Sequence, residues 1–556
     1  MAKKKKADRR LTTPMKGKLI LVFGGIIFLF LILVVKLCYV TATKGKEYET
    51  AVLSQQKHDS TILPFERGKI YDRNGNILAT NEKIYTLILE PQNILLQDKK
   101  YEEATINALH EYFGFSKNKL KKTIEDNPYS YYEVYKKNMT YDEVEKFQKF
   151  LDLADASAKG VSKAKKAKIE SAKMVKGVSF EEDYKRVYPY NSLACRVLGY
   201  TSSGNVGNWG IEQYYNSQLN GVNGRAYYYF NEELDQEQSV KEPKNGNSVV
   251  STIDMQIQKI IEQKLKDFDD KIGSKVTNIL VMNPQNGEIL GMTSSYPYNL
   301  NKPMDEKSLL SLYSQSEIDK MKAYTKQKQA EEATDSEDTS EDSKDSTKKK
   351  TDDQKTIYDA FNELWRNSII SDTNEPGSTY KPFTVATGLE SGALTGNENY
   401  FCTGSLMVGK RNIGCSHVHG NITLKDAVAK SCNVAMMNIG FKEGADTFYK
   451  YQNIFGFGRS TGIDLPGEDT KSLVYNASNY SNSVTLATNA FGQNFNCTMM
   501  QMAAGFCSLI NGGNYYRPHI VKQIQSDNGA VVKDIGKEVL RKTISEETSA
   551  TIRSYM

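Results

Sequence analysis

The chain has 556 residues, 39% of them hydrophobic and 25% charged, with a net charge of +5. It is several times the usual domain length, which allows two or more hydrophobic cores, and the small net charge gives no reason to invoke a nucleic-acid partner. Seven scattered cysteines without a C-x-x-C pair exclude a disulfide framework.

In chain order, the first feature is the run from Leu19 to Val35, in which every residue is apolar or glycine, extended after Lys36 by LCYV. That length matches the hydrocarbon core of a bilayer and predicts a membrane span over 19–40. Eight Lys and Arg residues precede it, including the tetralysine. By the positive-inside rule they make 1–18 a cytoplasmic tail and send the remainder outward, a single-pass extracytoplasmic topology. A cleaved signal peptide is disfavoured, since its apolar region is shorter and no small-x-small site follows promptly.

After the span, FERGKIYDRNGNILATN combines turn signals with short apolar alternation and predicts hairpins. Residues 97–175 are Lys-rich with helical periodicity, best in YDEVEKFQKFLDLA. Residues 186–225 are aromatic and Gly-rich, which predicts packed irregular structure with one helix in GIEQYYNSQL. A second unit opens at GNSVVSTIDMQIQKIIEQKLKDF: a strand, Asp254 as N-cap, and a helix with Ile257, Ile260, Ile261, Leu265 and Phe268 on one face. TNILVMNPQNGEILGMTSS then reads as two strands around a turn. Residues 322–356 have almost no apolar side chains and are expected to form a disordered insertion.

Cys402 and Cys415 with His417 and His419 can be drawn as a zinc site, but H-x-H does not match the usual structural spacings. A Cys402–Cys415 disulfide is the preferred reading over a metal, and unpaired small core residues are preferred to both, so no metal or cofactor is expected.

EPGSTYKPF places Ser378 and Lys381 three positions apart. Pro376 and Gly377 turn the chain, a helix ending near Gly392 follows, and positions three apart share a helix face, so an amine can reach a hydroxyl. A serine needs a base, and a lysine serves only where the neutral amine is favoured. The helix start also offers N–H groups for an oxyanion. Ser378 as a mere N-cap is the competing reading, because S-x-x-K recurs at Ser54, Ser116, Ser162 and Ser346. Further on, ITLKDAVAKSCNVAMMNIG puts Ser431 and Asn433 inside an apolar helical pattern, where polar groups need partners.

The order EPGSTYKPFT, AKSCNVAM, STGIDLPGE and NAFGQNFNCTMMQMAAGFCSLINGG resembles the transpeptidase domain of penicillin-binding proteins, with its S-x-x-K and S-x-N elements. FERGKIYDRNGNILATN, YKRVYPYNSLACRVLGY and GNWGIEQYYNSQLNGVNG resemble the pedestal of the monofunctional class B branch. The similarity runs over most of residues 60–520.

The resemblance implies a membrane-anchored multidomain α+β protein: a β-rich, dimerising pedestal over 41–245, then a transpeptidase domain over 246–556 with an antiparallel sheet flanked by helices. It implies that Ser378 attacks the D-alanyl-D-alanine carbonyl of a peptidoglycan stem peptide, with Lys381 as base, Ser431 as proton relay and Asn433 orienting the substrate amide. It also implies trapping by β-lactam antibiotics, and a glycosyltransferase or other divisome membrane protein as partner. The family's third motif, Lys-Thr/Ser-Gly, is absent after NGGNYYRPHIVKQI, so the sequence is expected to be C-terminally incomplete and inactive by itself. The alternatives are a serine β-lactamase or D,D-carboxypeptidase, and a non-catalytic β-lactam sensor or divisome scaffold.

Overall fold

The computed structural model describes residues 60–156, 161–230, 236–334, 354–469, 477–480 and 482–556, together with 24, 25, 27, 30–36 and 39. The expected tail at 1–18 and much of the expected span at 19–40 lie outside these residues. Among the described residues no helix is long and apolar enough to cross a membrane.

Two units are distinguished. The smaller, Met1–Leu63 with Asn223–Pro243, holds an antiparallel sheet in the order Ser60–Leu63, Gly224–Phe230, Gln236–Lys241. The larger is Pro64–Val222 with Lys244–Met556.

Its main sheet is mixed and has seven strands. The order is Val531–Asp534, Val521–Gln525, Ser248–Ser251, Ile70–Tyr71, Ile77–Leu89, Glu133–Thr140, with Val178–Val187 also paired to Ile77–Leu89. Ser248–Ser251 runs parallel to Ile70–Tyr71 and antiparallel to Val521–Gln525, so one short buried strand joins the early and late parts of the chain. The hairpin expected at YDRNGN is formed. The Asp72 carboxylate accepts the Asn74 and Asn76 amides at 2.8 Å each, and Gly75 supplies the left-handed residue at φ +88.

Three segments far apart in the chain meet on one buried charge cluster. The Glu212 carboxylate accepts from Arg67 Nε at 2.8 Å, Arg186 Nε at 2.7 Å and the Tyr188 hydroxyl at 3.1 Å. Burial works against ionisation of Glu212, yet Arg186 and Arg67 hold its carboxyl below the ordinary range. Arg186 also donates to Gly68 O and Arg67 to Asn205 O, so the cluster fixes the backbone around it.

Local sequence signals hold in part. Asp254 caps the Met255–Lys271 helix, accepting the Gln256 and Ile257 amides. Ile261 and Leu265 are buried, but Ile260 and Phe268 are exposed at 58% and 38%. The Asn278–Met282/Ile289–Ser294 hairpin packed against this helix is only two strands wide among the described residues, so a narrower stripe is covered than the periodicity implied. GIEQYYNSQL forms two short helices, Gly210–Tyr214 and Asn216–Leu219. The break is at Tyr215, whose φ of −101 and ψ of 20 leave the helical region. Its ring is buried with its hydroxyl on Asp464 at 2.7 Å.

The expected disordered insertion at 322–356 begins instead inside the Gln315–Thr334 helix. KQKQAEEA is rich in strong helix formers, and Ile318, Met321 and Thr325 are buried. Residues 335–353 of that expectation lie outside the described residues.

Candidate active site

The segment carrying Ser378 is held from both sides by a later loop. Thr373–Asn374 pairs antiparallel with Cys497–Thr498, and the Asn494 amide donates to Glu375 Oε1 at 2.7 Å. Gly377, at φ +59, donates its amide to Gly492 O at 2.8 Å. Gly492 is itself at φ +85, and a Cβ there would lie 1.9 Å from Gly377 O, so only glycine allows this approach.

Gly377–Tyr380 forms one 3₁₀ turn that runs into the Lys381–Glu390 helix, with Pro382 at its start. Ser378 and Thr379 are exposed; Tyr380 and Lys381 are buried. Tyr380 stacks on Phe383 at 5.4 Å and meets Phe457 and Phe495 edge-on at 5.2 and 4.9 Å, so an aromatic cluster locks the turn.

Lys381 is 2% exposed. Its Nζ donates to Ser431 O at 2.6 Å and to Ser431 Oγ at 2.7 Å. Burial disfavours the ammonium and draws the lysine down to about 8, against a weaker upward pull from Cys415 and Cys432. No hydrogen bond between Ser378 and Lys381 is recorded among the described residues, so the structure brings Lys381 to Ser431 and leaves the hydroxyl of Ser378 open to solvent.

The helix expected to run through Ser431 and Asn433 is two helices, Leu424–Ala429 and Asn433–Glu443, with the motif at the corner. Ser431 has φ +54, a left-handed conformation unusual outside glycine and of the kind found at functional sites. Cys432 caps the second helix, its Sγ accepting the Ala435 amide at 3.4 Å. Asn433 is turned toward the 399–423 region: its amide donates to Cys415 Sγ at 3.2 Å and its Nδ2 to Gly414 O at 3.1 Å.

Cys402 and Cys415 are free thiols, so the disulfide drawn from the sequence is not formed. They gather instead with His419 and Cys432, the four ligand atoms lying within 4.8 Å of one another. Cys432 was missed in the sequence because only the fold brings it to the other two cysteines.

Elsewhere, Asp464 of STGIDLPGE accepts the Ile520 and Val521 amides at 2.6 and 3.0 Å and so seats the Val521–Gln525 strand. Glu443 is buried, and neither of its carboxyl oxygens has a hydrogen-bond partner within bonding geometry; burial pushes its carboxyl well above the ordinary range.

Residues 277–556 match the penicillin binding protein transpeptidase domain, and residues 62–251 the penicillin-binding protein dimerisation domain. The chain is 29% identical to the stage V sporulation protein D of Bacillus subtilis (strain 168), covering 96% of this chain and 71% of that protein. It is 22% identical to the probable peptidoglycan D,D-transpeptidase PenA of Neisseria meningitidis serogroup A (strain Z2491), over 89% of this chain and 70% of that one. The crystal structure of penicillin binding protein 2X from Streptococcus thermophilus superposes with a TM-score of 0.65 at 22% identity. That match covers 89% of this chain and 66% of the crystallised one, so the chain spans just under two thirds of that structure. The transpeptidase match takes in half of the sequence and both S-x-x-K and S-x-N, and with the dimerisation domain ahead of it the chain belongs to the class B penicillin-binding proteins, the family of the peptidoglycan D,D-transpeptidases.

Proposed function

We propose that this chain cross-links peptidoglycan stem peptides through an acyl-enzyme on Ser378. The observation that carries this reading is Lys381, a lysine wholly buried and hydrogen-bonded to Ser431 with no carboxylate partner among the described residues.

A neutral amine has two N–H groups and one lone pair. The two donors of Lys381 are matched by Ser431 O and Oγ, which leaves the lone pair for the proton of Ser378. Ser378 Oγ attacks the penultimate carbonyl of D-alanyl-D-alanine, and the amides of its helical turn receive the developing oxyanion. The proton passes through Ser431 to the departing nitrogen as the C–N bond breaks and D-alanine leaves. Asn433 holds the substrate amide. An amine from a second stem peptide then attacks the ester, releases Ser378 and forms the cross-link. A β-lactam acylates the same oxygen, but its leaving nitrogen stays tethered in the product, so the ester persists.

The same reading divides the chain into a pedestal over 41–245 and a transpeptidase domain over 246–556. It anchors the chain through 19–40, with the catalytic part outside the membrane beside peptidoglycan and within reach of glycosyltransferase or divisome membrane proteins. The apolar run supports the anchor, as do the exposed side chains of Phe30, Leu31, Leu33 and Val35. The expected inactivity of the 556 residues alone is supported by no contact among the described residues.

The test offers a D-alanyl-D-lactate donor together with a D-amino acid acceptor. Transfer to the amine that grows with acceptor concentration, with little hydrolysis, is the expected result. Hydrolysis that ignores the acceptor, or rapid turnover of penicillin, points to the carboxypeptidase or β-lactamase reading instead.

A further inference from the structure

The four-residue gathering beside S-x-N is built from three separate pieces of chain. Cys402 ends the strand Asn399–Cys402, which pairs antiparallel with Gly420–Thr423. Cys415 follows the strand Arg411–Gly414 directly, and His419 stands just before Gly420–Thr423. Cys432 caps the Asn433–Glu443 helix. Cys402 and Cys432 are buried; Cys415 and His419 are half-buried.

Two of the separations match edges of a metal tetrahedron, and all four ligand atoms lie within 4.8 Å of one another. With metal–sulfur bonds of about 2.3 Å and metal–nitrogen bonds of about 2.05 Å, tetrahedral geometry sets sulfur–sulfur edges of about 3.8 Å and sulfur–nitrogen edges of about 3.6 Å. Cys415 Sγ lies 3.9 Å from Cys432 Sγ and 3.6 Å from His419 Nδ1. A disulfide needs about 2.05 Å, so the first pair is far outside bonding distance. Backbone amides already point at two of the sulfurs, Asn433 N–H at Cys415 and Ala435 N–H at Cys432, as outer-shell donors to metal-bound sulfur do. Three thiolates and one imidazole form a soft set that selects zinc over oxygen-loving cations, and four protein ligands close the shell.

We propose that Cys402, Cys415, His419 and Cys432 form a structural zinc site, bound through three thiolates and the Nδ1 of His419. The expectation of no metal, drawn from H-x-H spacing, is thereby replaced: His417 is not a ligand, and the ligand the spacing could not supply is Cys432. Binding releases the three thiol protons. Cys432 stands between Ser431 and Asn433, so the metal fastens the left-handed corner of S-x-N to the 399–423 region. In the acyl-transfer reading proposed above, which only this last consequence uses, the zinc acts as a positioning device.

The full chain, purified without chelator, is expected to contain about one zinc per molecule. Cobalt exchanged for zinc is expected to give the strong visible bands and thiolate charge transfer of a tetrahedral sulfur site. Cys402→Ser and His419→Ala, neither in the acyl-transfer machinery, are expected to lose stoichiometric zinc. Stripping the metal is expected to slow penicillin acylation on the order of tenfold to a hundredfold, with recovery on adding zinc back. A folded wild-type chain with no zinc and no tetrahedral cobalt spectrum overturns the site, as does a disulfide among these cysteines in the native protein, or full zinc retention by both variants. Metal content is read whether or not Ser378 acylates, so failure of the acyl reading leaves this result standing.

Discussion

At the scale of single residues, burial separates Ser378 and Lys381 from look-alikes of the same spacing. Ser162 and Lys165 are exposed at a helix start, where the serine accepts the Lys165 amide as an ordinary cap, and Ser116 and Lys119 are also exposed at a helix start. Lys381 is buried and faces a second serine. Its amine, drawn down to about 8 from an ordinary 10.5, is about one-tenth neutral at pH 7, against about one part in three thousand for an unshifted lysine. The neutral fraction grows as pH rises, so the rate of penicillin acylation is expected to climb through about pH 8 and then level off. Lys381→Met is expected to lower that rate on the order of 10²–10⁴-fold and to flatten the profile, both read by stopped-flow acylation. A wild-type rate independent of pH between 6 and 9 contradicts a lysine base.

At the scale of elements, the sequence was most legible where a signal and its partner are close in the chain. Asp72 with Gly75 in YDRNGN and Asp254 before its helix each satisfy backbone groups within a few residues, so turn and cap were readable directly. Apolar stretches said less. The pattern around Ser431 reads as one helix, yet the chain breaks there because the motif must turn outward to meet Lys381 and the 399–423 region. The contact of Gly377 with Gly492 and the addition of Cys432 to the cysteine cluster join segments remote in sequence, and no local period records them. The candidate acyl site was therefore visible as an order of motifs, whereas its shape came only from the fold.

At the scale of the molecule, the early segments are tied together by charge as well as by apolar packing. Arg67, Arg186 and Glu212 are all buried, and the Glu212 carboxylate pairs with both guanidiniums. Removing one partner of such a cluster strands the others without a counter-charge, at a cost of about 3–5 kcal/mol. Glu212→Gln keeps the volume and removes the charge, and is expected to lower the midpoint of urea unfolding accordingly; an unchanged midpoint contradicts the role given to the cluster. The central claim is narrower and concerns where the chain is acylated. The most direct measurement is peptide mapping by mass spectrometry after incubation with benzylpenicillin. One penicilloyl group on the peptide containing Ser378, absent in Ser378→Ala, is the result the account predicts. An adduct on another residue, or undiminished labelling of Ser378→Ala, contradicts it.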